Sequence, residues 1–221
     1  MTTLAIYAAH DSPGKRDASA VFRPEARALV RMRGGQAIAA DNRRPMHERR
    51  DRLLTSIASV AGDGHGSIAI FCHGWASGIQ LGPRLRWGKA RTREVDELAE
   101  AIRACCGDAP TVVLYACSTG TWWRRSAPGG DGGFADELRD ALCRAGAEGC
   151  MIYAHDRLGH ATRCPYVRVF RGDSSHVGGE WLIGPGSALW PAWRMALWGA
   201  GDLRLRFPFM SREELESELR V

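Results

Sequence analysis

The sequence predicts an α/β fold, a three-layer α/β/α sandwich around a mostly parallel sheet of six strands. Three observations carry that expectation. Residues 67–72 and 111–116 are two short apolar runs, rich in β-branched and aromatic residues and without polar alternation, as strands buried on both faces require. Between them, residues 92–106 place Val95, Leu98, Ile102 and Cys105 on one helical face and stop at Gly107. Strands and helices then alternate along the whole chain.

Taken in order, residues 4–9 form a first strand leading into a polar turn, His10 to Lys15. Pro24 is well placed at the first turn of a helix that runs to Arg33 and is stopped by Gly34-Gly35. Residues 36–40 are a second strand. A longer helix over 46–61 turns Leu53, Leu54, Ile57 and Val60 inward. The strand 67–72 follows, ending in His73-Gly74, and Gly78, Gly82 and Pro83 make 75–87 a loop or small hairpin. After the crossover helix and the strand 111–116 comes Cys117, then a Gly-rich stretch to Gly133 that reads as a loop. A helix over 134–145, strands at 150–154 and 166–170, and an edge segment at 181–183 complete the sheet. Helices are expected at 191–198 and, from the capping box Ser211 to Glu214, at the C-terminus. The whole forms one domain, 1–221, on which residues 181–221 pack as a Trp-rich extension.

The formal charge is +5 and the isoelectric point is near 9.0, but the arginines are interspersed with acids, which describes a solvated surface. No basic run is interleaved with aromatics, so nucleic acid is not expected as a partner. No apolar stretch reaches the roughly 20 residues of a membrane span, and the N-terminus reads as a strand rather than a signal peptide. Only Lys15 and Lys89 are lysines, and with abundant Ala and Gly this points to a GC-rich coding sequence of bacterial or phage kind. Seven cysteines without framework spacing suit a reducing compartment, by default the cytoplasm.

A right-handed strand–helix–strand crossover makes the two apolar strands neighbours. His73 and Cys117 then emerge together at the carboxyl edge, where open α/β sheets bind ligands. A thiol beside an imidazole is a nucleophile with its base. Gly74 lets backbone approach a substrate, and its amide and that of Cys117 can face a developing oxyanion. Cys72, inside the strand, reads as core. His155, His160 and Cys164 fit no usual zinc spacing, and neither a metal nor another cofactor is expected.

Ile68 to Gly74 followed by Val112 to Cys117 resembles the caspase-like cysteine peptidases, the group of caspases, legumains, gingipains, clostripain and separase. The resemblance covers roughly residues 1–172, mainly through element order, and its specific motif is short. It implies that His73 and Cys117 are a catalytic dyad, that the Gly74 and Cys117 amides form the oxyanion hole, and that the substrate is a protein or peptide. Tyr115 departs from the acidic residue or glutamine often found two before the cysteine, which leaves the subgroup open. The resemblance also implies a specificity pocket near the turn after the first strand and near the segment beyond the cysteine-bearing strand. The candidates are His10, Asp11, Lys15 and Arg16, then His155, Asp156 and Arg157. Asp11 or Asp156 would select a basic residue before the scissile bond, the preference adopted here, whereas Arg16 or Arg157 would select an acidic one. Trp122 and Trp123 either line the cleft or cover the sheet edge, and Arg124-Arg125 is a self-cleavage site if the pocket is acidic, or else part of a mobile loop. Some relatives need an activating cation, ligand or partner.

Two other classes compete. An α/β-hydrolase thiol esterase would need glycines two before and two after Cys117, where Tyr115 and Thr119 stand, and would draw its histidine from His155, His160 or His176. A catalytically inactive interaction module would carry an inert Cys117.

Overall fold

Five parallel strands and two antiparallel ones form a single sheet in this computed structural model, which describes residues 2–10, 19–86, 91–121, 133–157, 166–172, 179–181, 190–191, 214 and 217. The strands are β1 (Thr2–Ala8), β2 (Gly35–Ala40), β3 (His65–Phe71), β6 (Thr111–Tyr115), β7 (Met151–His155), β8 (Val167–Arg171) and β9 (Glu180–Trp181), in the order β2-β1-β3-β6-β7-β8-β9. Only β8 and β9 run antiparallel to their neighbours. The sheet thus has seven strands rather than six, because the two-residue β9 pairs with β8 as an outer edge. Two further short strands, β4 (Gly74–Trp75) and β5 (Gly78–Ile79), make a separate hairpin immediately after His73.

The described helices are α1 (Ser19–Arg33), α2 (Met46–Ala58), α3 (Arg93–Cys106) and α4 (Phe134–Arg144). The first starts five residues before Pro24, so that proline lies inside the helix rather than at its opening. Its missing N–H costs one backbone bond near the helix start, while Phe22, Ala26 and Leu29 on the same helix are buried. At the other end the chain enters β2 after one residue. Gly34 and Gly35 have φ of 74° and 117°, and a Cβ on Gly35 would lie 2.0 Å from the Thr3 carbonyl oxygen.

The strand order reverses at β1. Right-handed connections running in opposite directions place α1 on one face and α2, α3 and α4 on the other, as a layered sandwich requires. The two faces differ in chemistry. Leu4, Ile6, Ile68, Ile70, Val112, Leu114 and Ile152 make one wholly aliphatic and fully buried face. The opposite face carries Thr3, Tyr7, Ser67, Phe71 and Tyr115. Arg33 of α1 donates to the Thr3 hydroxyl (3.3 Å), which identifies it as the face under α1. There Phe71 and Tyr115 stack with centroids 4.3 Å apart and planes 9° apart.

No helix among the described residues is long and apolar enough to cross a membrane. Most of the Trp-rich segment, including the helices expected at 191–198 and from Ser211, lies outside the described residues, as do Asp11, Lys15, Arg16 and residues 122–132.

Candidate active site

The ladder between β3 and β6 decides where the two reactive side chains stand. Phe71 pairs with Tyr115, and the Cys72 N–H donates to the Tyr115 carbonyl (3.3 Å), continuing the parallel pattern past the assigned strands. His73 and Cys117 each come two residues after that pair, just past the last ladder bond, where Gly74 packs against the Cys117 backbone. Both are half-buried. Side chains alternate between faces along a strand, so His73, two residues after Phe71, continues the α1 face. Phe22 of α1 meets the His73 ring edge to face, with centroids 5.3 Å apart at 83°.

Gly74 follows, and its missing side chain has a specific use. A Cβ there would lie 2.7 Å from the Cys117 carbonyl oxygen, 2.8 Å from the Ala116 Cβ and 2.8 Å from the Thr119 Cγ2. Glycine therefore admits the Cys117 backbone itself, in addition to any substrate. The hairpin then folds back. The His73 N–H donates to the Gln80 side-chain oxygen (3.3 Å), and the Gln80 N–H donates to the His73 carbonyl (2.9 Å).

Beyond Cys117 the chain leaves the sheet through Ser118, the one non-glycine residue with positive φ among those described (57°). The Thr119 hydroxyl donates to the Ala116 carbonyl (3.0 Å), and the Ser118 and Gly120 amides donate to the Arg157 and His155 carbonyls (3.3 and 2.8 Å). The segment is thus stitched onto the end of β7. Helix α4 closes the arrangement. It has no side-chain N-cap, and its first two amides, of Phe134 and Ala135, donate instead to the Ala76 carbonyl of the hairpin (2.9 Å) and to that of Thr119 (3.0 Å).

His73, Gly74 and Cys117 are therefore brought together. The other expected site residues take different places. His10 leaves β1 on the opposite side of β3 from Cys117, and its backbone is clamped by the fully buried Asn42 side chain (2.8 and 2.5 Å). Its ring lies 3.9 Å from Asp41. His155 is buried at the end of β7, level with Tyr115 in the register and two residues short of Cys117, with its ring 6.3 Å from that of Tyr115. Burial pushes the Asp156 carboxyl above the ordinary carboxylate range, against the pull of Arg168, a Thr121 hydrogen bond and Arg157. Arg157 is exposed, its guanidinium 4.1 Å over the Tyr166 ring, which Trp181 and Trp190 flank. Asp11 and Trp122 lie outside the described residues, as do His160 and Cys164. Among the described residues no group of three or more His, Cys, Asp or Glu side chains is placed to hold a metal ion. Burial drives the Cys72 thiol up to about 12, so that cysteine stays protonated in the core.

Sequence reasoning missed Gln80, Phe22 and Arg168. The first two reach His73 from other elements, and no local pattern marks them. Arg168 is buried in β8 and donates to the Gly120 and Gly179 carbonyls (3.1 and 2.9 Å). A charged residue set between Val167 and the apolar pair Val169-Phe170 was its available signal.

No family model matches the chain, and comparisons with curated proteins and with solved structures give no match either.

Proposed function

We propose that the chain is a caspase-like cysteine peptidase that hydrolyses peptide bonds through His73 and Cys117. The observation that carries this reading is that an imidazole and a thiol leave the ends of two adjacent parallel strands at the carboxyl edge of the sheet, with Gly74 packed on the Cys117 backbone between them. His73 takes the Cys117 proton, and the thiolate sulfur attacks the scissile carbonyl carbon. The oxygen, now negative, lies toward the Gly74 and Cys117 amides. Collapse breaks the C–N bond as the imidazolium gives its proton to the leaving amine, and a thioester remains. Water, deprotonated by His73, then attacks the thioester, and the proton returns to sulfur as the acid product leaves.

An α/β-hydrolase would need a base from a later strand. His155, the described histidine in that position, is 5% exposed and level with Tyr115, two residues short of the thiol, which favours the dyad. Preference for a basic residue before the scissile bond rests on Asp11, since Arg168 and Thr121 already engage Asp156. Six free thiols among the described residues suit a reducing, cytoplasmic setting.

Peptide-library cleavage by the purified protein, beside Cys117→Ala and His73→Ala, tests the reading. Cuts after a consistent residue are expected, with at least about 10³-fold loss in both variants. Retained cleavage in either variant overturns the dyad. A wild type that cuts nothing and whose Cys117 is inert toward an alkylating probe points to a binding module.

A further inference from the structure

We propose that Gln80 is a positioning residue for His73, holding the imidazole at the angle from which it serves Cys117. The inference rests on the dyad reading above and adds to it the group that fixes the base. The last ladder bond from this end of β3 to β6 is the one from the Cys72 N–H to the Tyr115 carbonyl. At the next residue Gln80 engages both backbone groups. Its side-chain oxygen accepts from the His73 N–H (3.3 Å), and its own N–H donates to the His73 carbonyl (2.9 Å). One residue thus acts as a strand partner, fixing the peptide on both sides of the His73 Cα and with it the direction of the side chain.

Gln80 is itself held. It is 4% exposed, and its carbonyl accepts from the Arg49 guanidinium of α2 (3.3 Å). The Ile79 N–H donates to the Pro83 carbonyl (3.1 Å), closing the next turn, and Gly82 presses on the Arg50 backbone, which a Cβ would approach to 2.5 Å. The clamp on His73 is therefore anchored to a helix rather than to a free loop. On the other side Phe22 limits rotation of the ring. A base seated this firmly keeps its reacting geometry, and a misplacement of about 1 Å at such a site costs about 100-fold in rate.

The test uses Gln80→Leu, which keeps the backbone donor and removes the side-chain acceptor, and Gln80→Glu, which keeps both and adds a negative charge near the imidazole. Two readouts are taken: kcat and KM on a cleaved peptide, and the pH dependence of Cys117 alkylation by iodoacetamide, which needs no substrate. For Gln80→Leu, kcat is expected to fall at least about 10-fold with KM within twofold, and alkylation to slow in parallel. Gln80→Glu is expected to recover most of kcat, with the pH profile of alkylation displaced to higher pH. Should Gln80→Leu fail to fold, the displaced profile of Gln80→Glu carries the test alone. Wild-type kcat and alkylation in Gln80→Leu, or an undisplaced profile in Gln80→Glu, overturn the proposal while leaving the dyad intact. Failure of the dyad itself is read separately, from cleavage that survives Cys117→Ala.

Discussion

A methyl group added at position 74 would meet three atoms of the 116–119 segment at 2.7–2.8 Å, two of them on the residues flanking or forming the candidate nucleophile. Such contacts do not relax without moving backbone, so Gly74→Ala is expected to cost about 1–3 kcal/mol of stability. It should also lower turnover at least about 10-fold, because one of the displaced atoms is the Cys117 carbonyl oxygen and the others lie on Ala116 and Thr119 beside it. Denaturant unfolding and kinetics on the same preparation check both, and unchanged values would mean the hairpin shifts freely. His73, Gly74 and Cys117 were legible in the sequence because each is marked locally, by an apolar run ending in a reactive or small residue. Gln80 and Phe22 were not. One meets His73 across a hairpin and the other from α1, so their roles exist only once the chain has folded.

Between elements, the junction of α3 and α4 shows how charge is used away from the site. Asp96 accepts from Arg144 of α4 (2.8 Å) and from Arg91 (2.6 Å). Burial alone would raise its carboxyl, but those two hydrogen bonds outweigh burial and hold it below the ordinary range. A depressed folded-state value stabilises the protein above the unfolded pKa of roughly 3.9, and that contribution is lost as pH falls through the folded value. Asp96→Asn should therefore cost up to about 1 kcal/mol at pH 7, since the pair is partly exposed, and should unfold with a flatter acid limb than the wild type. Urea titrations at pH 7 and at pH 3 give the comparison; an equal deficit at both would sink it. Helices α2, α3 and α4 followed from apolar periodicity. The start of α1 did not, because Pro24 is a strong local signal that the burial of Phe22, Ala26 and Leu29 overrides.

Across the whole molecule, the edge that carries His73 and Cys117 is tied to the far side of the sheet by Arg168. It bridges the Gly120 and Gly179 carbonyls, one next to the candidate site and one next to the outermost strand. Arg168→Met would leave both carbonyls without that donor, at a cost of about 1–3 kcal/mol. Amide exchange should quicken at Gly120 well before it quickens in β1, and equal protection at both would refute the coupling. By itself the sequence determined the alternation of strands and helices and the order in which histidine, glycine and cysteine leave the sheet. Hydrophobic period and chain order are local properties, and a crossover has one favoured hand. Only the tertiary structure decided the rest: the pairing of the Trp181 edge segment as a full strand, the meeting of the His73–Gly74 exit with the Cys117 backbone, the turning of His10 toward Asn42 and Asp41, and the pull of Arg168 and Thr121 on Asp156. At a strand exit a side chain is directed by register and by neighbours from distant parts of the chain, and neither is written in the residues around it.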